Sequence, residues 1–423
     1  MNHSASDQLD ADSGSGRAEP HRTIGWRDAM RIATDAASPN ASESIPIDEA
    51  LGRVSAADLH TMQAVPHFAS AAMDGWAVAG TGPWLIDDPV TAPGSAFTTA
   101  RSGLEAGHAE GIVTGGLVPA GTTAVLRSEH ALTPSAQPGQ QRHLSVGPGA
   151  RAGEPLPGQH IRLPSEEARA GELVIAAGAV INPAHIALAA LAAHDEISVI
   201  RRPRVRFVFT GDEVIEHGIP EPGRVRDTFG PQLPALLRLH GAEVIGRLRV
   251  GDSLPATVDA LEQSLSDSQL VITTGGTGRS SADHLRRAVG AVGGATLFDG
   301  INVRPGGPTL LAMAPNGSVI VCLPGNPLAA MAALVITVIP LVRVMAGRAS
   351  TDLMTTVVGA DTAGRTGSTL LMPFMLVGGR AFTSAWQGSA MMRGLADADG
   401  FLEVPPEGLV AGDRAKAIAV PWR

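Results

Sequence analysis

The stretch from Gln269 to Asp283, QLVITTGGTGRSSAD, constrains the fold of this chain more than any other. It opens with Leu270–Ile272, three apolar residues typical of a strand that is buried on both faces of a parallel sheet. A glycine-rich turn follows, and the polar residues up to Asp283 favour the start of a helix. A strand, a glycine turn and a helix N-terminus present backbone N–H groups to an anion, so the stretch predicts a phosphate cradle. The alternative is an ordinary tight turn, since glycine-rich turns are common.

Strands and helices alternate around this stretch. The sequence predicts strands at Val205–Phe209, Glu243–Gly246 and Ser318–Leu323, and helices at Gln232–His240 and Leu254–Leu265. This alternation predicts a doubly wound parallel sheet, in which ligands bind at the carboxyl ends of the strands. Between about residues 60 and 165, and again after Gly347, short β-type runs among Gly and Pro predict small β-rich domains. The fold class is therefore an α/β multidomain protein.

Charge and composition exclude several classes of function. A net charge of −9 makes nucleic acid and anionic membranes poor partners. The single cysteine, Cys322, excludes an intrachain disulfide and a cysteine-based metal site. The longest apolar run, Leu328–Val342, is shorter than the roughly 20 residues of a spanning helix, so a buried helix is expected. Residues 1–20 are polar and lack a signal peptide pattern, so the predicted location is cytoplasmic.

Three loops that follow predicted strands carry residues suited to binding a ligand. They are Thr210–Glu213, the glycine loop that ends in Asp283, and Leu323–Pro327. Carboxylates beside a phosphate cradle suit Mg²⁺, which binds through one or two carboxylates plus substrate phosphates. Each acid taken singly is better explained as a helix cap or a solvated loop charge. Their shared position at strand ends favours a binding site.

Several motifs in order make the chain resemble the molybdopterin molybdenumtransferases, the family of the gephyrin E domain. The resemblance runs from about residue 22 to 423, and eight matches in order are far more specific than one. They are Ala72-Met73-Asp74-Gly75-Trp76-Ala77-Val78; Thr114-Gly115 through Pro119-Ala120-Gly121; Ile161-Arg162; Pro203-Arg204-Val205 through Thr210-Gly211-Asp212-Glu213; Gly275-Gly276 with Asp283; Arg304-Pro305-Gly306; Leu323-Pro324-Gly325-Asn326-Pro327; and Gln387-Gly388-Ser389.

The resemblance implies a division of the chain into domains. From their polar composition, residues 1–21 are expected to be a disordered tail. The resemblance implies that 22–58 and 160–202 are a discontinuous N-terminal domain, 59–159 an inserted β-rich lobe, 203–347 a doubly wound molybdopterin-binding (adenylyltransferase-like) domain, and 348–423 a C-terminal β domain. It also implies a homodimer whose cleft is built from the sheet domain of one subunit and the N-terminal and C-terminal elements of the partner. Other enzymes of molybdenum cofactor biosynthesis are candidate partners, and neither nucleic acid nor membrane is expected.

The implied substrates are adenylylated molybdopterin and molybdate. The implied reaction inserts molybdate, cleaves the bond between the pterin phosphate and the adenylate, releases AMP and uses Mg²⁺. The matched positions fall into three roles. The catalytic residues are Asp74, Glu213 and Asp283; the ligand-binding residues are Thr114, Gly275, Gly276, Thr277, Gly278, Arg304, Pro324, Gly325, Asn326 and Ser389; and the metal ligands are Glu167, Glu213, Asp252 and Asp283.

The chain departs from the family pattern at several positions, which marks it as a divergent member. Thr123 stands where the family has Asp, Phe229 where it has Asn, and Gly307 where it has Lys. Losing a charge-assisted phosphate contact costs about 1.5–3 kcal/mol, for which Arg279, Arg286 or Arg287 could compensate. Two alternatives therefore stay open. One is a molybdopterin adenylyltransferase, which the glycine loop resembles, and the other is a non-catalytic pterin-binding scaffold.

Overall fold

The computed structural model describes residues 23–87, 103–133, 141–275, 283–349 and 353–422. The chain forms two compact units. One consists of Ser42–Ile200, and the other combines the described residues before Ser42 with those from Arg201 onward. The first helix, α1 (Trp26–Asp35), belongs to the second unit.

The unit of residues 42–200 is rich in short strands. Its elements are β1 (Ser42–Pro46), β2 (Leu59–His60), β3 (Ser70–Ala71), β4 (Gly75–Val78), β5 (Trp84–Ile86), β6 (His108–Ile112), β7 (Ala124–Arg127), β8 (Ala131–Leu132), β9 (His143–Val146), β10 (Ile161–Arg162), β11 (Leu173–Ile175), α2 (Pro183–Leu191) and β12 (Glu196–Ile200), with short 3-10 helices at Ile47–Glu49 and Ser128–His130. Six strands form one sheet in the order β7-β4-β6-β5-β9-β8. The other strands pair two by two, β1 with β12, β2 with β11 and β3 with β10.

The second unit is built on a six-stranded sheet in the order β16-β13-β17-β21-β20-β18. The first four strands are mutually parallel, β20 pairs with β21 in antiparallel fashion, and β18 pairs antiparallel with β20 at the edge. This confirms the doubly wound α/β class and adds two strands that join the sheet through antiparallel pairings. The elements are β13 (Arg204–Thr210), β14 (Val214–Ile215), β15 (Val225–Arg226), α3 (Phe229–Leu239), β16 (Glu243–Val250), α4 (Leu254–Leu265), β17 (Leu270–Thr274), α5 (Asp283–Ala291), β18 (Ala295–Asp299), β19 (Val303–Arg304), β20 (Leu310–Met313), β21 (Val319–Leu323), α6 (Pro327–Ile336) and α7 (Val338–Met345).

Helices cover both faces of this sheet. Leu270 and Ile272 of β17 pack in a cluster with α1, α3, α6 and α7, whereas Val271 between them packs in a second cluster with α4 and α5. Successive side chains of a strand point to opposite faces, so an unbroken apolar run is what such a strand requires. The run predicted to be buried on both faces is therefore confirmed.

Helices α6 and α7 form a continuous apolar stretch in the core. The stretch Pro327–Met345 has 19 residues and a mean hydropathy of 2.3, so by length and composition it could cross a membrane. Its most apolar window is 89% buried inside the protein, which identifies it as a core element. The predicted end at Val342 was too early. Pro340 lies in the first turn of α7, where its missing N–H breaks no helical hydrogen bond.

The C-terminal part forms a closed ring of strands. Its elements are β22 (Met354–Val358), β23 (Thr369–Val377), β24 (Arg380–Thr383), α8 (Arg393–Ala396), β25 (Gly400–Val404) and β26 (Arg414–Ala419). The sheet order is β19-β23-β24-β22-β26-β25, and an additional pairing of β23 with β25 closes the ring. Strand β19 joins it from the earlier part of the chain, because Arg304 pairs with Leu370. The domain boundaries given above stay predictions.

Candidate active site

The four parallel strands β16, β13, β17 and β21 end together at one edge of the sheet. Thr210 pairs with Val250, and Thr274 pairs with Leu323, so their carboxyl ends are level. From β13 the chain reaches β16 through α3, and from β16 it crosses to β17 through α4 on the opposite face. The connections therefore reverse direction between β13 and β17, which is where open α/β sheets form a ligand crevice.

The loop after β13 places acidic groups at this edge. Gly211 has a φ of 122°, and a Cβ there would lie 2.9 Å from Oε2 of Glu213, so the Glu213 side chain folds back over it. A Cβ on Gly251 would lie 2.7 Å from Oδ1 of Asp212. The Glu213 loop therefore contacts the loop that carries Asp252, as the parallel register of β13 and β16 requires.

Glu213 and Asp252 are both exposed. Neither side chain has a hydrogen bond or an ion pair with the residues that the structure describes. Across those residues no group of three or more His, Cys, Asp or Glu side chains is arranged to hold a metal ion. The two carboxylates are hard oxygen donors, and Mg²⁺ needs only one or two of these beside substrate phosphates. The donor chemistry therefore fits Mg²⁺ without a preformed cage.

Asp227, in contrast, is a buried carboxylate with a full set of partners. Its side chain is 7% exposed and forms an ion pair with Arg249. Its Oδ1 accepts the backbone N–H groups of Phe229 at 2.9 Å and Gly230 at 3.0 Å. These bonds cap α3, which explains why this helix begins three residues before the predicted Gln232.

The glycine loop begins with a position that only glycine fits. Gly275 has a φ of 90°, and a Cβ there would lie 2.6 Å from the hydroxyl oxygen of Thr210. That hydroxyl donates a hydrogen bond of 3.0 Å to the carbonyl oxygen of Thr274. A Cβ on Gly325 would lie 3.4 Å from the Cα of Gly275, so the third loop lies against the first residue of the glycine loop. The predicted residues Gly276, Thr277 and Gly278 lie outside the described residues, as does the side chain of Asp283, the first residue of α5.

The third loop leads into the start of α6, where two distant segments join it. Pro324 is buried and Asn326 is exposed at the N-cap of α6, with no side-chain capping bond. The backbone N–H of Ala329, in the first turn, donates a 3.1 Å hydrogen bond to the carbonyl oxygen of Ser389. A Cβ on Gly306 would lie 3.3 Å from the carbonyl oxygen of Ala329. The loops that carry Ser389 and Arg304 therefore meet at the start of α6, which sequence spacing alone could not show.

The other predicted site residues lie in the unit of residues 42–200. Oδ1 of Asp74 accepts the backbone N–H of Thr114 at 2.6 Å and its hydroxyl at 2.9 Å. These two hydrogen bonds, the backbone one first, lower the pKa of the Asp74 carboxyl. Gly115 donates its N–H to the carbonyl oxygen of Ala71 at 2.8 Å, which fixes the Thr114 turn against β3.

Glu167 follows β10, which pairs with β3 through Ile161 and Ala71. The pairing makes the segment before Asp74 a neighbour of the segment before Glu167. The backbone N–H of Glu167 donates to the carbonyl oxygen of Val65 at 2.9 Å, while the carboxylate of Glu167 is exposed.

Two departures from the family pattern have structural roles of their own. The hydroxyl of Thr123 accepts the backbone N–H of Gly80 and donates to the carbonyl oxygen of Val78, both at 3.1 Å. An ionised Asp could accept the first bond but could not donate the second. Phe229 is 9% exposed and belongs to the main core cluster of its unit, so it serves packing.

The missing lysine at Gly307 is not replaced by Arg286. The guanidinium of Arg286 forms a bidentate ion pair with Asp299, with Nε–Oδ2 at 2.8 Å and NH2–Oδ1 at 2.9 Å. Arg287 is exposed, and Arg279 lies outside the described residues. These two remain the candidates for the compensating charge.

One open cavity of about 770 Å³ lies in the unit of residues 42–200. Its lining includes Trp84, Thr123 and Glu154 but none of the predicted site residues. The hydroxyl of Thr123 in this lining is already engaged by the backbone.

Comparison with known proteins identifies two family regions. Residues 24–193 match the MoeA N-terminal region (domain I and II), and residues 206–344 match the probable molybdopterin binding domain. The molybdopterin molybdenumtransferase of Staphylococcus epidermidis is 29% identical over 315 residues, which is 72% of this chain and 71% of that protein. Molybdopterin molybdenumtransferase 2 of Mycobacterium tuberculosis is 29% identical over 316 residues, 72% of this chain and 75% of that protein.

Solved structures show the same fold. The molybdopterin biosynthesis moeA protein of Pyrococcus horikoshii matches with a TM-score of 0.72 at 22% identity, covering 94% of this chain and 99% of that chain. A molybdenum cofactor biosynthesis protein of Pyrococcus furiosus matches with a TM-score of 0.56 at 16% identity, covering 94% and 100%. Since the two family regions follow one another in order across most of the chain, this chain belongs to the molybdopterin molybdenumtransferase family.

Proposed function

We propose that this chain is a molybdopterin molybdenumtransferase, which inserts molybdate into adenylylated molybdopterin and releases AMP. The observation that carries the proposal is the meeting of the Arg304 and Ser389 loops at the start of α6, beside the glycine turn at the carboxyl edge of the sheet. A ligand with linked phosphates needs backbone N–H donors, a cation and carboxylates within one crevice. The membership of the family supports the same substrate class.

The phosphates are assigned to the backbone of two loops. The first loop begins at Gly275, and the further proposed ligands Gly276, Thr277 and Gly278 lie outside the described residues. The second loop consists of Pro324, Gly325 and Asn326, which lead into α6. In the first turn of α6, Pro327 has no N–H and that of Ala329 is bonded to the carbonyl oxygen of Ser389. The N–H groups assigned to the phosphates at this helix start are therefore those of Gly325, Asn326 and Leu328. Arg304 is exposed beside this start and supplies a guanidinium for a bidentate clamp.

The carboxylates are assigned to the metal. Glu213 and Asp252 would hold Mg²⁺ together with the substrate phosphates, and Asp283 and Glu167 are the further proposed ligands. When bound, Mg²⁺ neutralises charge on the phosphate–adenylate linkage. Glu213 is well placed for this task, because Gly211 lets its side chain fold back over the strand end.

Asp74 contributes an ionised carboxylate. Thr114 donates both of its hydrogen bonds to Oδ1, which keeps the pKa of Asp74 low. Oδ2 accepts no hydrogen bond from the described part of the chain and is assigned to a substrate hydroxyl or a water molecule. A carboxylate held in this way stays ionised and can orient an oxygen nucleophile by accepting a hydrogen bond from it. Thr114 is therefore proposed to act through Asp74 as well as by direct contact.

The remaining proposals concern the whole protein. The chain forms a homodimer, acts in the cytoplasm and meets other enzymes of molybdenum cofactor biosynthesis. Its domains follow the boundaries given above, with 203–347 as the molybdopterin-binding domain. Sedimentation at micromolar concentration tests the dimer, and a monomer at all concentrations would contradict it.

The experiment that tests the function is a reconstitution with purified protein, adenylylated molybdopterin, molybdate and Mg²⁺, following AMP release. Glu213→Gln should raise the Mg²⁺ concentration needed for half-maximal rate by about tenfold or more, since it removes a proposed ligand. Glu216→Gln is the matched control, because Glu216 lies three residues away and pairs with Arg249 at 2.9 Å. Equal Mg²⁺ responses of both variants would contradict the assignment of the metal to Glu213.

The same reconstitution separates the two alternatives. Formation of adenylylated pterin from pterin and ATP would identify an adenylyltransferase. Tight binding of the adenylylated pterin without molybdate-dependent AMP release would identify a scaffold.

A further inference from the structure

Trp386 is a large apolar side chain that is 44% exposed in the loop that carries Ser389. A single exposed apolar residue is ordinary, but this one is held in place. The guanidinium carbon of Arg393 lies 4.6 Å from the centroid of its ring. A cation over one face of an indole fixes the ring and leaves the opposite face for another contact.

The loop around Trp386 is tightly constrained. The backbone N–H of Trp386 donates a 3.1 Å hydrogen bond to the hydroxyl of Ser384, and the side-chain amide of Gln387 donates to the carbonyl oxygen of Ser384. A Cβ on Gly394 would lie only 2.2 Å from the carbonyl oxygen of Trp386, so the start of α8 packs directly against the loop. An aromatic ring that is already ordered loses little conformational entropy when a ligand stacks on it.

The position of this loop connects the ring to the candidate active site. Ser389, three residues after Trp386, accepts a hydrogen bond from Ala329 in the first turn of α6. The loop before α6 lies against the glycine turn through Gly325 and Gly275. The exposed ring is therefore carried by a segment that is anchored where the phosphates are proposed to bind.

We propose that Trp386 is a stacking platform for a flat heteroaromatic ring of the substrate, adenine or pterin. The inference rests on the proposed function, because it assumes a ligand in which such a ring is joined to phosphate. Arg393 lies against one face of the indole, and a flat heteroaromatic ring would stack on the other. The positive charge of Arg393, with Arg304 and the start of α6, favours the phosphates of that ligand.

The test is calorimetric titration of wild type, Trp386→Ala and Trp386→Phe with AMP, with the parent pterin and with ribose 5-phosphate. Stacking on an aromatic side chain is worth enough to predict roughly 5- to 150-fold weaker binding of AMP or pterin to Trp386→Ala. Trp386→Phe should stay within about threefold of wild type, because it keeps an aromatic face. Ribose 5-phosphate has the phosphate without the ring, so its affinity should not change.

The pattern of losses decides the outcome. A loss for AMP alone places adenine on Trp386, and a loss for pterin alone places the pterin there; both support the proposal. Unchanged binding of both rings, equal weakening of ribose 5-phosphate, or no measurable ring binding by wild type would overturn it.

AMP release by wild type separates this inference from the proposed function. If wild type releases AMP in a molybdate-dependent way and Trp386→Ala binds both rings normally, only the stacking role is contradicted. If Trp386→Ala binds the rings more weakly as expected but wild type shows no molybdate-dependent AMP release, only the transferase function is contradicted.

Discussion

The carboxylate of Asp74 and the backbone and hydroxyl of Thr114 form a closed unit. Oδ1 of Asp74 accepts the Thr114 N–H at 2.6 Å and its hydroxyl at 2.9 Å, although 40 residues separate the two in the chain. β4, which begins right after Asp74, pairs with β6, which ends two residues before Thr114, so the sheet brings the two together. Two predicted site residues are therefore one hydrogen-bonded group, and Thr114 should affect the protonation of Asp74.

Thr114→Val should raise the pKa of Asp74. The substitution removes the hydroxyl bond and keeps the backbone bond, which is the larger cause of the lowered pKa, so the shift should be partial. A lowered folded-state pKa stabilises the protein above the unfolded value, and this stabilisation is lost as pH falls through the folded pKa. In the variant the stabilisation is smaller and its loss is complete at a higher pH, and the acid limb of the activity profile should move upward with the folded pKa. Titration of the Asp74 carboxyl carbon by NMR measures the shift.

Thr114→Ser is the control for this prediction, because it keeps a hydroxyl on the same backbone. Its Asp74 pKa and its acid limb should match those of wild type. If valine and serine gave the same titration curve, the hydroxyl would have no influence on Asp74.

Gly75→Ala should strongly destabilise the β-rich lobe. A Cβ at Gly75 would lie 2.0 Å from the carbonyl oxygen of Leu126, within the pairing of β4 with β7. Backbone cannot move aside as a flexible side chain can, so a loss of at least about 3 kcal/mol in unfolding free energy is expected. Gly111→Ala, in the neighbouring strand β6, should be neutral or stabilising by up to about 1 kcal/mol, because its Cβ would be 3.9 Å from the Trp76 ring. Denaturant unfolding measures both, and similar losses would contradict this cause.

Cys322 should be inert in the native protein. It is fully buried in β21, and burial raises the pKa of its thiol to about 12. The thiolate is the reactive species, and at about pH 8 only roughly 10⁻⁴ of the thiol would be ionised. Iodoacetamide should therefore label the chain only after denaturation, as mass spectrometry would show. Labelling of the folded protein at the rate of a free cysteine would show that β21 opens readily.

Local sequence patterns predicted the elements that depend on local physics. The apolar run Leu270–Ile272 is buried on both faces, and the loops after Thr210, Thr274 and Leu323 leave one edge of the sheet. Strand burial and the direction of parallel strands follow from residue type and alternation, so they can be read from the sequence. The roles assigned to individual site residues remain predictions.

Contacts between segments that are far apart in the chain could not be predicted from local sequence patterns. The contact of Ser389 with Ala329 and the pairing of Arg304 with Leu370 each join segments about 60 or more residues apart, and no residue pattern encodes them. The start of α3 was also missed, because the residues after Asp227 include Gly and Pro and look unlike a helix. The helix nevertheless begins there because the Asp227 carboxylate accepts the first backbone N–H groups of α3, and the sequence did not reveal these bonds.

Gly307→Lys restores the lysine of the family pattern but should not improve the enzyme. A Cβ at Gly307 would lie 3.1 Å from the carbonyl oxygen of Val303 and 3.3 Å from that of Ile301, both of them backbone atoms. The carbonyl oxygen of Gly307 also accepts N–H groups from Ile301 and Thr309, each at 2.8 Å, which holds the loop tightly. A loss of about 1–3 kcal/mol in unfolding free energy is therefore expected, with no gain in the rate of AMP release.

Gly307→Ala separates the effect of the backbone contact from that of the charge. If the contact dominates, alanine and lysine should lower the unfolding free energy equally, because both add the same Cβ. A lysine variant that is as stable as wild type and releases AMP faster would show instead that the loop can widen. The missing charge would then be a real deficit, which neither Arg279 nor Arg287 makes good. Thermal unfolding and AMP release, measured on both variants, distinguish these outcomes.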